Sequence, residues 1–386
     1  DGKSTCPGQA PREPLKIVSW NADGLGLRLA REWHLLKAFL EKERPDLLCI
    51  QEVRLPADGP AGCKKGDGQP RRRGVISEAE TEAIEGCNNT LGAMACDMGY
   101  SVHLSLADWK YAGSAMLIKD DCQPRRVVYS FADTQEGVGV KPGPGAGARA
   151  GAGTRPPHRH HHPEGRIILA EFDTFDVLGL YVPNNGRTKD SFSKRLRWDE
   201  VLAFAKAHTR PLVVCGDLNV AHRDCDLSHP EYFREAGGPR GLRGKHPLLL
   251  PHRDDRGQPG CTDNERSRHE RLLREGRLVD AFRHPCQHPH PTPEGVYVFT
   301  WRGQDGVNRA FAKYAGKGMR LDYALVAQKL ATEGRIARAE VLAASQGEAF
   351  LGSDHCPILL ELAPAFRGGL GGGPPSGAAG SDEPGP

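Results

Sequence analysis

The stretch LKIVSWNADGL, residues 15–25, reads as a strand and then stops on an amide and a carboxylate, Asn21 and Asp23, where the chain should turn. A polar strand end can simply open a loop. It means more when other strands deliver polar groups in the same way. DLLCIQE ends in Gln51 and Glu52, VLGLYVPNNGR in Tyr181, Asn184 and Arg187, and PLVVCGDLN in Asp217 and Asn219. Later, MRLDY carries Asp322, and GSDHCP places Ser353, Asp354 and His355 just before the last apolar run. Ligands of α/β sheets gather at strand carboxyl ends, so these repeated endings predict one pooled site.

Around them the chain reads as strands alternating with helices. Strands are expected over 15–20, 46–51, 114–119, 166–172, 175–182, 211–216, 321–327 and 357–362. Several are rich in Val, Ile and Leu without clean alternation, as in a sheet covered on both faces. A helix is expected over 29–43, where Leu29, Trp33, Leu36 and Leu40 share a face and Pro45 follows. A second, over 191–207, has the stripe Trp198, Val201, Leu202 and Ala205, and a third follows the capping-box pair Thr262 and Glu265.

The bulk numbers bound the function loosely. A chain of 386 residues holds one large α/β domain or two smaller ones. A net charge of +3 does not announce a nucleic-acid protein, so any phosphate-binding surface must be local. The eleven cysteines include no CxxC pair and no zinc spacing, and are read as reduced thiols of an intracellular protein. No apolar run approaches the roughly 20 residues that span a bilayer, so no membrane partner is expected.

Three stretches are compositionally biased: 57–95, 133–165 and the Gly/Pro-rich tail from 364 to 386. They are expected to be two flexible insertions and a disordered tail, with 1–14 a disordered leading segment and 15–363 one catalytic domain. The cluster His158, His160, His161 and His162 reads as compositional bias rather than a metal site. The run Arg71 to Arg73, with Lys64 and Lys65, reads as a solvated loop ahead of a nucleic-acid contact.

The chemistry follows from residue type. Hard carboxylates such as Asp23, Glu52 and Asp354, with no thiolate beside them, suit Mg²⁺ or Mn²⁺ better than zinc. Asp322 paired with His355 can fix the ring tautomer and favour imidazolium, and Tyr181, Asn184 and Arg187 offer donors to an anionic oxygen. A metal, oriented donors and a carboxylate able to take a proton from water specify hydrolysis of a phosphate ester.

At this point the pattern resembles the exonuclease III type of apurinic/apyrimidinic (AP) endonuclease, within the endonuclease/exonuclease/phosphatase superfamily. The matching blocks are WNADGL, LCIQEVRL, YAGSAMLI, EGRIILAEFD, YVPNNGR, RLRWDEVL, GDLNVAHRDCDL, TDNER with LVDAFR, MRLDY and GSDHCPILLEL, in the family's order from 15 to 362. The resemblance implies a four-layer α/β sandwich, two mixed β-sheets face to face and flanked by helices. It implies that Glu52, with Asn21, Asp23 and Asp354 close by and Asp217 and Asn219 at the edge of the set, holds Mg²⁺, with Mn²⁺ as substitute. Asp217 would activate or protonate, Asn219 orient the attacking water, and His355, held by Asp322, contact the scissile phosphate, with Tyr181 and Asn184 supporting its oxygens. Arg54, Tyr111 and Arg187 would contact the DNA backbone.

The implied activity is incision of double-stranded DNA 5′ to an abasic site, with trimming of blocked 3′ ends and some 3′ to 5′ exonuclease action, by a monomer. The nucleus is the expected compartment, with a plastid or mitochondrial form as the alternative. The implied damage pocket is Trp301, Met319 and Leu321, with Met319 standing where animal relatives have Trp; a flexible Met predicts a looser pocket that favours 3′-end processing. The loop 303–318, with Arg309, Lys313 and Lys317, is expected against DNA. Two other readings are weighed: a superfamily phosphoesterase acting on another substrate, and a non-catalytic DNA-binding protein on the same scaffold.

Overall fold

The computed structural model describes residues 12–64, 66–85, 98–132, 160–186, 188–234, 257–287, 298–303, 314–342 and 350–365. Two six-stranded mixed sheets dominate it. The first runs in the order Ile336–Val341 (β15), Ile358–Leu362 (β16), Lys16–Asn21 (β1), Leu47–Gln51 (β2), Ser114–Lys119 (β6) and Tyr100–Ser105 (β5). The second runs Leu278–Asp280 (β11), Asp322–Ala327 (β14), Leu212–Asp217 (β10), Asp176–Tyr181 (β9), Ile167–Glu171 (β8) and Arg126–Val128 (β7). Two short ribbons pair Ala57–Asp58 (β3) with Arg72–Ile76 (β4), and Trp301–Arg302 (β12) with Gly318–Met319 (β13).

Alternate side chains of each central strand enter different layers. Ile17, Cys49, Met116, Ile168, Val213 and Cys215 meet between the two sheets. Val18, Trp20, Leu48 and Ile50 face outward under the helix Leu25–Glu43, against its Leu25, Leu29, Leu36 and Leu40. On the far side Leu178, Leu180, Leu212 and Val214 face Trp198, Val201, Leu202 and Leu272 of the helices there. Three apolar interfaces make four layers, the architecture that strands apolar on both faces predict.

All eight expected strands are present within a residue of their expected bounds. The first helix begins at Leu25 rather than 29, behind Gly24, whose φ of 99° leads the chain out of the Asp23 turn. The helix expected over 191–207 is two, Lys189–Leu196 and Glu200–Ala207, joined by a 3₁₀ turn at Arg197–Asp199. The Thr262–Glu265 capping box forms as expected.

Part of the stretch 57–95 folds, as the β3–β4 ribbon and the helix Glu78–Glu85. Each guanidinium of the Arg71–Arg73 run meets a carboxylate: Arg71 with Asp67 and Arg72 with Asp58 within the stretch, and Arg73 with Asp108 beyond it. Of the histidine cluster, His158 lies outside the described residues, but His161 bridges to Tyr129 and stacks on its ring at 4.2 Å. His162 accepts the Glu164 N–H at Nδ1 and lies 5.3 Å from the Trp198 ring. These two rings are structural.

Two predictions follow from this packing. Ile168 sits wholly between the sheets, so Ile168→Ala is expected to cost about 3 kcal/mol in chemical denaturation, with secondary structure retained. Burial, then the charge of Arg166, pushes His162 down to about 4. Between about pH 4 and 6.5 the unfolded chain therefore binds a proton here that the folded chain refuses, and stability rises with pH across that window. The fall in urea midpoint from about pH 8 to about pH 5 is expected to be smaller for His162→Gln than for wild type.

Candidate active site

The carboxyl ends of β1, β2, β9 and β10 lie together, and β14 begins beside them, with Asp217 opposite both Tyr181 and Asp322 in register. Gly216 has to be glycine, because a Cβ there would lie 1.8 Å from the Leu180 carbonyl oxygen. Of the non-glycine residues at positive φ, Asp23, Glu52, Arg54 and Asn219 all stand in turns just after these strands. Such turns are disfavoured backbone that the surrounding fold must hold, and they re-aim side chains across the strand ends.

Asn21 is the hub. Its buried Nδ2 donates to Glu52 Oε1 at 3.1 Å and to Asp217 Oδ2 at 3.0 Å, while its Oδ1 accepts the Asp23 N–H. Ser353 Oγ donates to the Asn21 carbonyl, which brings the GSDHCP turn to the same point. Tyr181 donates its hydroxyl to Glu52 Oε1 at 2.6 Å. Asn219 donates its N–H to Asp217 Oδ1 and its amide to Asp217 Oδ2, and accepts from Asn184 Nδ2 at 3.2 Å. His355 Nδ1 meets Asp322 Oδ2 at 2.8 Å, with both residues buried.

The electrostatics divide this site in two. On the open side Arg54 holds Glu52 Oε2 through Nε at 2.9 Å and Asp23 Oδ1 through Nη1 at 2.7 Å. Burial, then the charge of Asp354, pushes Asp23 up to about 6 against Arg54. Burial also opposes the charge on Glu52, but Arg54, Tyr181 and Asn21 hold its carboxyl below the ordinary range. On the inner side burial, then Asp322, pushes Asp217 up. Burial works against an imidazolium at His355, yet the charge and hydrogen bond of Asp322 raise it well above the ordinary histidine value.

Which groups suit a metal follows from this division. Ligand atoms of Asp217, Asp322 and His355 lie within 4.8 Å of one another, and Asp322 Oδ1 is buried with no hydrogen-bond partner among the described residues. That trio is one candidate for a metal ion, and with His355 Nδ1 committed to Asp322 it also suits proton and phosphate chemistry. Around Glu52 and Asp23 the donors are hard oxygens, and the Arg54 guanidinium already stands as a positive charge between them. That donor set fits a hard metal cation.

Other expected residues fall at the rim. Asp354 accepts from Trp301 Nε1 at 2.9 Å. Met319 and Leu321 are buried side chains in an apolar cluster with Ala221, Leu227, Phe233 and Cys261, and Trp301 packs against them. Arg54, expected on the DNA backbone, here neutralises carboxylates. Lys317 lies over the Tyr232 ring, whereas Arg187, Arg309 and Lys313 lie outside the described residues.

Sequence reasoning missed two supports. Arg166 is fully buried: Nη1 donates to the Tyr181 carbonyl, Nη2 to the Tyr111 hydroxyl at 2.9 Å and Nε to Glu164, and its guanidinium lies 4.3 Å over the Tyr181 ring. The Glu164–Arg166 spacing in EGRIILAEFD was its available signal. Thr300 Oγ1 accepts the N–H groups of Leu321 and Asp322 and so sets the start of β14; nothing local marked it.

A two-sheet α/β sandwich that gathers carboxylates, a fixed imidazolium and buried donors at its strand ends defines a hydrolase of phosphate esters. Residues 18–355 match the model of the Endonuclease/Exonuclease/phosphatase family, and the chain belongs to it. It is similar to a DNA-(apurinic or apyrimidinic site) endonuclease of Arabidopsis thaliana, 36% identical over 369 residues that cover 94% of this chain and 88% of that one. An exodeoxyribonuclease of Bacillus subtilis is 27% identical over 350 residues, covering 90% of this chain and 98% of that one. Among solved structures, an AP endonuclease from Leishmania major superposes with a TM-score of 0.54 at 21% identity, covering 94% of this chain and 92% of that one, which shows the shared fold.

Asp322→Asn tests the inner pair directly. It is expected to leave the fold intact while the His355 ring titrates well below its wild-type value, read by NMR of the imidazole carbons.

Proposed function

We propose that the protein is an AP endonuclease of DNA base-excision repair that depends on Mg²⁺, cuts 5′ to abasic sites and trims blocked 3′ ends. The observation that carries this reading is the Asn21 amide shared by Glu52 and Asp217, which sets a cation-type site against a buried proton-transfer site. The AP endonuclease and exodeoxyribonuclease named above support the choice of DNA.

Glu52, with Asp23 and Asp354 nearby, would hold Mg²⁺. When bound, the ion supplies Lewis-acid charge to oxygens of the scissile phosphate. Asp217, its pKa raised by burial and by Asp322, takes the proton from the attacking water, and Asn219, whose amide hydrogens are held by the Val182 carbonyl and Asp217, orients that water through its Oδ1. As water bonds to phosphorus, the bond to the 3′ oxygen of the preceding nucleotide breaks and that oxygen takes a proton from solvent water, leaving a 3′-hydroxyl and a 5′-deoxyribose phosphate, while Asp217 returns its proton to solvent. His355 has committed Nδ1 to Asp322, so Nε2–H is the group that donates to a phosphate oxygen. Tyr181 keeps Glu52 in place, and Asn184 keeps Asn219 in place.

The test uses a duplex oligonucleotide with one tetrahydrofuran abasic analogue. Incision 5′ to the analogue is expected in Mg²⁺, with none in EDTA and a loss of at least about a hundredfold in Glu52→Ala. A 3′-blocked nick measured alongside separates incision from end trimming; cleavage of the nick alone would put the pocket at Met319 to end processing. If neither DNA reacts, the proposal is wrong.

A further inference from the structure

The loop 106–113 presents two exposed aromatics, and the chemistry above gives Trp109 no role. Trp109 is 50% exposed and Tyr111 46%; with Leu27 and Val75 they are the exposed large apolar side chains among the described residues. An indole left half in water on a surface loop calls for an explanation when the loop itself is firmly built.

This loop is braced from two sides. On the outside, the Leu106 N–H donates to the Arg73 carbonyl at 2.9 Å and Arg73 Nη1 to the Leu106 carbonyl at 3.0 Å. Arg73 pairs with Asp108 at 2.6 Å, the Ala57 N–H donates to the Ala107 carbonyl, and Lys110 pairs with Glu80 at 2.7 Å. Every one of these partners comes from the β3–β4 ribbon or the helix behind it. On the inside, the Val53 N–H donates to the Gly113 carbonyl and the Arg54 N–H to the Ala112 carbonyl, so the loop is tied to the turn that carries Glu52. Tyr111 continues the connection through Arg166 to Tyr181 and Glu52.

We propose that Trp109 is a DNA-stacking residue, its indole lying on a base unstacked beside the cleaved phosphate, and that the folded part of 57–85 is the brace that holds it there. This rests on the DNA reading above. DNA is the occupant because the aromatic pair is continuous with the phosphate site, Tyr111 being tied through Arg166 to Tyr181 and Glu52. Lys194, 5.6 Å from the Tyr111 ring, and Arg54 beside the loop are there already paired with carboxylates, so the aromatic faces are what the loop offers. An aromatic face accepts any base, so Trp109 adds affinity without sequence preference, while phosphate contacts set the register.

The experiment measures binding of the tetrahydrofuran duplex to the full chain in EDTA by fluorescence anisotropy, and then incision kinetics in Mg²⁺. Trp109→Ala is expected to weaken binding roughly tenfold and raise KM with little change in kcat, while Trp109→Phe keeps most of the affinity. Arg73→Ala, which loosens the brace by its two side-chain contacts and spares the indole, is expected to show part of the same loss. Hydrolysis of bis(p-nitrophenyl) phosphate, too small to reach the loop, should be unchanged in all three. Wild-type affinity in Trp109→Ala overturns the proposal, as does an equal loss on the small substrate, which would mark damage to the Glu52 turn. If the wild-type protein neither binds nor cuts the duplex, the DNA reading fails and this inference with it.

Discussion

One buried side-chain amide joins the two sheets where the chemistry sits. Asn21 closes β1 in one sheet and donates to Glu52 of that sheet and to Asp217 of the facing one, using both amide hydrogens on carboxylates. Buried carboxylates need donors, and here the same residue satisfies both. The stacking of the sheets and the geometry of the site are therefore one problem: a shift that misplaced β1 against β10 would take from Glu52 and Asp217 the one donor they share, leaving each only the donors of its own side.

From that junction the charge separates. The outer acids Asp23 and Glu52 are balanced by Arg54, and the inner acid Asp322 by the imidazolium of His355. Asp217 is wholly buried beside Asp322, and these two together raise its pKa against the charge of His355 and the Asn219 N–H. One acidic pair is thus suited to a metal ion and one buried acid to proton transfer, although both are built from the same residue types. Disfavoured turns at Asp23, Glu52 and Asn219 aim these groups, and the strength of the two-sheet core allows the fold to tolerate them.

The central strands were legible because each is buried on both faces and so leaves a continuous apolar run. Two strands of the same sheet were not. Tyr100–Ser105 and Ile336–Val341 are its edges, half-exposed along their length, and YSVHLS and IARAEV carry no such run. The 57–95 stretch misled in a related way. Its Gly, Pro and Arg content reads as flexible, yet ion pairs with Asp58, Asp67 and Asp108 and backbone bonds to the loop 106–113 order part of it; the Asp67 pair is local, but those to Asp108 and the loop depend on tertiary partners.

The sequence by itself determined which kinds of group end the strands, and so the type of chemistry, because strand periodicity and residue type are local properties. It determined the family for the same reason, since its blocks keep their order along the chain. Only the tertiary structure decided which of those groups share atoms: that Asn21 reaches Asp217 across 196 residues, that Arg54 spans Glu52 and Asp23, and that Arg166 lies under Tyr181. Those contacts come from stacking one sheet on another, and the alignment of two surfaces that meet only after folding is written in no single segment.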